Sequence, residues 1–247
     1  MILKKAIVKN YRLLEDIEID LDEKTTIVVG KNNTGKTSFS NLFNVFLGDR
    51  KLSLDDFSIN CQKQFIGMLA IYNKWIDADD DAKISLLDSL NEKVPIVSLR
   101  LSIEYGNTEG EYTAAKPFAT GLVEDNAISL LFEYRPIVTT RFLSKLKDLE
   151  PINTEERFAR LRELVDDEYD KMIFTIGNGE IRKVFLSEVK KIIRTEFIDA
   201  QRNLDDGNNR LSSKLSSLLA NYYNRQSQNA DVHTKDMKAL LSEADVK

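Results

Sequence analysis

Hydrophobic and polar positions alternate along the first twenty residues. Ile2-Leu3-Lys4-Lys5-Ala6-Ile7-Val8-Lys9 reads as a strand that Asn10-Tyr11-Arg12 breaks, and Ile17, Ile19 and Leu21 interleave with Glu18 and Asp20 as a second, half-exposed strand. Thr25-Thr26-Ile27-Val28-Val29 has a different character, a continuous β-branched run such as a strand buried on both faces carries. It ends at Gly30. From Phe39 the period changes: Phe39, Leu42, Phe43, Phe46 and Leu47 form one helical stripe, and Gly48 sits where a C′ glycine would end it.

Between Asp49 and Glu92 the pattern is helical, with one stripe at Phe65, Met68, Leu69 and Tyr72 and another at Ile84, Leu87 and Leu90. The acidic cluster Asp77, Asp79, Asp80 and Asp81 between them lacks the glycine and distal glutamate of a calcium loop and reads as a solvated linker. Val97, Leu99, Leu101, Ile103 and Tyr105 then alternate strictly with polar residues. Gly106–Gly110 reads as a turn, Tyr112 as the start of a return strand, and Ile128, Leu130, Phe132 and Tyr134 as a further strand before Pro136. This predicts an antiparallel lobe. A charged helix follows from Thr154 to Met172, with Phe158, Leu161, Val165 and Tyr169 inward, then a hairpin around Gly177-Asn178-Gly179 and a short helix from Val184 to Ile193. The last elements are a strand at Thr195–Ala200, a helix with Leu211, Leu215, Leu218, Leu219 and Tyr222 on one face, and a polar stretch from Arg225 to Lys247.

Composition narrows the class. The 247 residues are 42% hydrophobic and 30% charged, with a net charge of −5, which is the profile of a globular chain and not of a strongly basic nucleic-acid binder. No apolar run is long enough to span a bilayer and the N-terminus has no signal pattern, so no membrane association and a cytoplasmic location are expected. One cysteine, Cys61, excludes an internal disulfide and a thiolate zinc cluster, and one histidine, His233, in a polar segment, argues against histidine-based chemistry.

The chemistry lies at Gly30-Lys31-Asn32-Asn33-Thr34-Gly35-Lys36-Thr37-Ser38, which fits G-x-x-x-x-G-K-[ST], the phosphate-binding loop, between a strand-like run and a helix. Glycines at Gly30 and Gly35 permit positive φ and close backbone approach. Lys36 places an ammonium on the β- and γ-phosphates of a nucleotide, the Thr37 hydroxyl reaches Mg²⁺, and backbone N–H groups at the helix start face the phosphates. ATP and Mg²⁺ are the cofactors this pattern implies.

The opening LKKAIVKNYRLLEDIEIDLDEKTTIVVGKNNTGKTSFSNLFNVFLG resembles the N-terminus of SMC-like ABC ATPases, in which a strand, an Asn-Phe-Arg-Ser-like segment, a second strand and the phosphate loop follow at this spacing. The Asn-Asn-Thr-Gly-Lys-Thr form looks most like the OLD (overcoming lysogenization defect) family and its relatives in bacterial anti-phage systems. The resemblance covers roughly the first 48 residues. It implies an α/β P-loop NTPase, an ABC/SMC-like head with a mixed sheet, an antiparallel β-lobe and a helical insertion. The head would run over residues 1–224, as a P-loop core (1–48), a helical segment (49–93) and an antiparallel β and helical lobe (94–224), with 225–247 a polar tail or the start of a helical arm. By the same resemblance Arg12 would lie beside the nucleotide phosphates, Asn32 or Asn33 beside the γ-phosphate and metal, and Gln201, in a stretch EFIDAQRNL that is similar to the family's, would touch Mg²⁺ and the attacking water. The implied partners are a second head in a homodimer or higher oligomer, and possible DNA and nuclease or effector partners.

Two family motifs are missing from the sequence: four apolar residues followed by Asp-Glu, and the signature loop that caps the γ-phosphate across a dimer. The simplest expectation is an N-terminal portion of a longer ATPase whose nucleotide state gates a DNA-directed activity. The second is a regulatory or scaffold module that binds nucleotide without turnover. A small P-loop kinase is disfavoured, because two strands precede the loop and no arginine-rich lid follows it.

Overall fold

The alternation in the first twenty residues produces an antiparallel hairpin. β1 (Ile2–Tyr11) and β2 (Leu14–Asp20) pair from Lys5↔Asp20 to Tyr11↔Leu14. The computed structural model describes residues 1–119, 126–149 and 154–196. Four further strands complete one sheet: β3 (Val97–Glu104), β4 (Ala127–Pro136), β5 (Tyr169–Gly177) and β6 (Glu180–Val184). Their order is β2-β1-β3-β4-β5-β6, and every neighbouring pair is antiparallel. Seven α-helices accompany it among the described residues: α1 (Lys36–Leu47), α2 (Ile59–Asp77), α3 (Asp80–Lys93), α4 (Glu109–Ala115), α5 (Thr139–Lys147), α6 (Thr154–Glu168) and α7 (Leu186–Ile192). The architecture is mixed α/β, with the antiparallel lobe as expected.

The largest departure lies just before the phosphate-loop motif. Thr25–Val29 is not a strand, and Ile27 and Val29 are 78% and 82% exposed. A β-branched run favours extended backbone, but it becomes a buried strand only where neighbours complete its ladder and cover its faces. Among the described residues no strand pairs with this segment, which leaves the sheet after the edge strand β2. The parallel part of the expected mixed sheet is therefore not found there.

Smaller differences have local causes. Tyr112 does not begin a return strand but lies on α4, where the Thr108 hydroxyl accepts the Glu111 N–H as an N-cap and the chain's amino terminus pairs with the Glu111 carboxylate. The helix expected to reach Met172 stops at Glu168, because the following Tyr169–Gly177 alternates and is captured by β4 from Pro136↔Tyr169 onward. The short helix expected from Val184 begins at Leu186, since Val184 still pairs with Ile173. Of the second helical stripe only Leu90 is buried, while Ile84 is 68% exposed. Asp79 of the acidic linker caps α3, accepting the Ala82 N–H at 2.9 Å. The hairpin at Asn178 and Gly179 forms as predicted, both residues having positive φ. Thr195 and Glu196 are not in a strand, and Phe197–Ala200, Gln201, the leucine-striped helix, His233 and the polar tail lie outside the described residues.

One face of the sheet makes the core. Val97, Leu99, Leu101 and Ile103 of β3 and Ile128, Leu130, Phe132 and Tyr134 of β4 are buried, while the intervening Arg100 and Glu104 are exposed. Helices α2 and α5 bring Phe65 and Phe142 into a cluster with Phe57, Tyr134 and Tyr169, with ring centroids 5.0 to 6.1 Å apart. The two phenols are satisfied by backbone: Tyr169 donates to Pro95 O at 3.0 Å and Tyr134 to Val165 O at 3.3 Å. No helix among the described residues is long and apolar enough to cross a membrane.

Helix α1 lies on this core through Phe39, Leu42, Val45, Phe46 and Leu47, and Phe46 meets Phe132 at 5.8 Å. Its C-terminal end is fixed by a residue distant in sequence. The Lys171 ammonium on β5 donates to the carbonyls of Val45, Gly48 and Arg50 at 2.9, 3.1 and 3.2 Å, satisfying acceptors that a helix end leaves free. Gly48 ends the helix in extended, not left-handed, backbone. Glycine is required there for closeness: an added Cβ would lie 2.4 Å from the Asn44 carbonyl oxygen.

Two measurements test these anchors. Replacing Lys171 by Met leaves those carbonyls short of donors, and amide exchange in the last turn of α1 is expected to accelerate, with a loss of about 1–3 kcal/mol. Glu168, 3% exposed, accepts from Arg141 Nε at 2.6 Å and from Lys145 Nζ. Burial disfavours its charge, but hydrogen bonds from Lys145 and Arg141 outweigh this and hold the carboxyl below its ordinary value of 4.5. A depressed carboxylate contributes stability above its unfolded pKa and loses it as pH falls through the folded one. Glu168→Gln should therefore cost about 1–2 kcal/mol at pH 7, modest because both cations are half exposed. In thermal melts the gap between variant and wild type should close as pH is lowered below about 4.

Candidate functional site

The Gly30–Ser38 segment forms the turn that opens α1. Gly35 is the N-cap residue, with φ 90°, and Asn33 before it is also left-handed at φ 66°. Gly30, expected to use positive φ, does not; an added Cβ would lie 2.9 Å from the Thr34 hydroxyl, which would have to turn aside. Phe39 N–H donates to Gly35 O at 2.8 Å, so the helical ladder starts immediately after the loop. Among the described residues no side chain caps the helix start, and no acidic residue lies in its first turn. The first N–H groups of α1, at the positive end of the helix dipole, are thus without a side-chain acceptor among the described residues.

The loop's side chains follow the same logic. Lys36 folds back over the loop, its ammonium donating to Gly30 O at 2.6 Å and to Lys31 O, and Thr34 Oγ1 donates to Lys31 O at 2.9 Å. The lysine thus holds the loop closed with its charge kept at the crest. Asn32, Asn33, Thr34 and Thr37 are exposed, and Ser38 is half-buried. Free N–H groups, one ammonium and one exposed Thr37 hydroxyl form a donor set suited to phosphate oxygens and to a single protein ligand on Mg²⁺, an ion that keeps most of its coordination for water and phosphate.

The loop is braced by the β1–β2 turn. Gly35 is buried because the turn packs on it: a Cβ there would fall 2.5 Å from Leu14 Cδ2 and 3.8 Å from Leu13 Cβ. The turn itself is strained, with Asn10 at φ 61° and Arg12 at φ 51°. It is held by residues that follow α1. Arg12 N–H donates to Asp56 O at 2.9 Å, Ser58 N–H to Asn10 O at 2.8 Å, and Tyr11 bridges to Phe57.

Of the residues predicted for the site, the structure brings Gly30, Asn32, Asn33, Thr34 and Gly35 together in one loop, puts Lys36, Thr37 and Ser38 in the first turn of α1 behind it, and sets the Arg12 turn against the loop. The Arg12 guanidinium is engaged by the Asp56 carboxylate, with Nε and Nη2 each 2.8 Å from Oδ1. Gln201 lies outside the described residues. Asp56 went unread in the sequence, where Ser53-Leu54-Asp55-Asp56 looks only like a local cap; its side chain is 6% exposed, and Arg50 Nη2 is 3.9 Å from the same oxygen. Beside this group the Tyr11 phenol is fully buried, and burial and then the Asp56 charge raise its pKa. Among the described residues no group of histidine, cysteine and carboxylate side chains is arranged to hold a metal by itself.

Comparison with curated proteins returns no match. The family model described as the AAA ATPase domain matches residues 1–246. A glycine-capped, side-chain-free helix start behind a lysine-closed loop, on a chain matched along nearly its whole length, places this protein in the AAA ATPase domain family.

Proposed function

We propose that the Gly30–Ser38 loop binds the phosphates of ATP with Mg²⁺, and that the chain serves as the nucleotide-binding part of an OLD-like or SMC-like ATPase. The observation that carries this reading is the uncapped α1 start with Lys36 and Thr37 immediately behind left-handed Gly35. On binding, the Lys36 ammonium exchanges loop carbonyls for β- and γ-phosphate oxygens, backbone N–H groups take the remaining oxygens, and Thr37 contributes one oxygen to the metal. In hydrolysis a water oxygen bonds to the γ-phosphorus as the bond to the β–γ bridging oxygen breaks, giving ADP, phosphate and a proton. Lys36 and the helix dipole stabilise the charge that develops.

Within this proposal Gln201 positions the water and metal, Asn32 or Asn33 meets the γ-phosphate, two heads pair around nucleotide in the cytoplasm, and the nucleotide state controls a DNA-directed or nuclease activity. These roles rest on the resemblance of the first 48 residues and of EFIDAQRNL, and on family analogy for the last. A second reading, a regulatory or scaffold module that binds nucleotide without turnover, applies if these 247 residues, which hold no segment of four apolar residues followed by Asp-Glu, are the whole protein.

Calorimetric ATP binding and phosphate release by the 247-residue chain, with Mg²⁺, separate these readings. Lys36→Ala is expected to weaken ATP binding by about tenfold or more, as loss of a charge-assisted phosphate contact does. Turnover that disappears in the same variant supports the ATPase; binding without turnover, lost in the variant, supports the phosphate loop with an incomplete catalytic site; equal binding by wild type and variant removes both. Gly35→Ala should be worse for the fold, because its left-handed backbone and the Leu14 contact oppose a Cβ together. A loss of about 2 kcal/mol in chemical denaturation is expected, along with loss of ATP binding.

A further inference from the structure

We propose that Asp56 is a positioning residue for nucleotide binding: its buried carboxylate fixes the Arg12 guanidinium by one edge and leaves the other edge to a nucleotide phosphate. The proposal rests on the reading of Gly30–Ser38 as the ATP site.

The argument begins with how the pair is made. A guanidinium has five N–H donors in a rigid planar fork. Arg12 spends its Nε–H and one Nη2–H on the same Asp56 oxygen, both at 2.8 Å, while the other Asp56 oxygen accepts the Ser53 N–H at 3.2 Å. Among the described residues nothing hydrogen-bonds to Arg12 Nη1, and the side chain is 33% exposed. One face of the guanidinium lies over the Tyr11 ring at 5.3 Å. The group is therefore fixed in plane and in direction, with one edge that makes no hydrogen bond among the described residues.

The backbone points the same way. Arg12 is held at φ 51° by its own N–H bond to Asp56 O, so the residue that binds the guanidinium also holds the strained turn beneath it. Backbone strain of this kind persists where surrounding contacts over-determine it, and such places cluster at ligand sites. The next residue, Leu13, has its Cβ 3.8 Å from where a Gly35 Cβ would lie, so the turn that carries the arginine stands against the phosphate loop.

Exchange, in which phosphate would pull Arg12 away from Asp56, is opposed by the same geometry. It would leave a carboxylate of 6% exposure without its partner, and Arg50 at 3.9 Å is beyond hydrogen-bonding distance. Retaining Asp56 and adding phosphate on the free edge costs no such desolvation, and the carboxylate keeps the guanidinium from spreading its contacts elsewhere. Asp56 thereby acts on the nucleotide through Arg12, without touching it.

The test is a double-mutant cycle in Mg-ATP affinity, with melting temperature recorded for each variant and Lys36→Ala as the control for the site itself. Arg12→Ala and Asp56→Asn should each weaken binding by about tenfold, and the double variant should be no weaker than Arg12→Ala alone. Additive losses, or wild-type affinity in Asp56→Asn, would overturn the proposal. Should Asp56→Asn fail to fold, Arg12→Lys decides. A lysine retains a charge for Asp56 but has no second edge, so the melting temperature should stay near wild type while affinity falls to the Arg12→Ala level. Wild-type affinity in Arg12→Lys would show that the free edge plays no part. Loss of affinity in Arg12→Ala alongside unchanged binding in Lys36→Ala would instead locate the fault in the reading of the loop.

Discussion

The site depends on how α1 is fixed to the antiparallel sheet. In a loop fed by a buried strand, the strand in front and the helix behind both position the phosphate-binding N–H groups. Here the segment in front, Thr25–Val29, is exposed and outside the sheet, so the loop takes its position from behind. Phe46 against Phe132 sets where α1 lies, and Lys171 on β5 holds its C-terminal carbonyls. Hydrophobic contact is non-directional and gives placement; the ammonium on three carbonyls gives the end of the helix a definite address. A helix twelve residues long converts that distant attachment into a fixed start at Lys36.

The second constraint acts sideways. Gly35 has no Cβ, and the space a Cβ would fill is taken by Leu14 and Leu13. The absence of one side chain thus serves two purposes: it permits the left-handed backbone that turns the loop into the helix, and it lets the β1–β2 turn press on that point. The turn carries strained backbone at Asn10 and Arg12, and the strain is held by the short pairing with residues 56–58 and by the Arg12–Asp56 contact. Charge, strain and close packing meet in a small volume, which is a common feature of sites that must hold a ligand's geometry in advance.

Lys36 illustrates the economy of such a loop. Its ammonium donates to the Gly30 and Lys31 carbonyls, which ties the helix start back to the beginning of the loop. In the proposed binding a phosphate would offer the same donor stronger acceptors. A loop tied in this way would lose less conformational entropy on taking up such a ligand.

Most of the antiparallel lobe was legible in the sequence, because a strand with one buried face writes its period of two into the residues: β1, β2, β3, β4 and the Asn178-Gly179 hairpin follow from alternation and turn chemistry. The α1 stripe and the phosphate-loop motif were legible for the same reason, since helix period and glycine positions are local. The sequence alone determined that β1 to β4 would be extended, that α1 would be helical and that Gly35 would be left-handed. It could not determine whether Thr25–Val29 would find strand neighbours, because a β-branched run records a preference for extended backbone and not the presence of a partner. It could not stop the α6 helix at Glu168 against β4's claim on Tyr169, nor show that Asp56 and Lys171 reach across 44 and 121 to 126 residues to hold Arg12 and α1. Those contacts join chain segments that carry no pattern in common, and only the packed tertiary structure, in which a buried charge must find its partner, decided them.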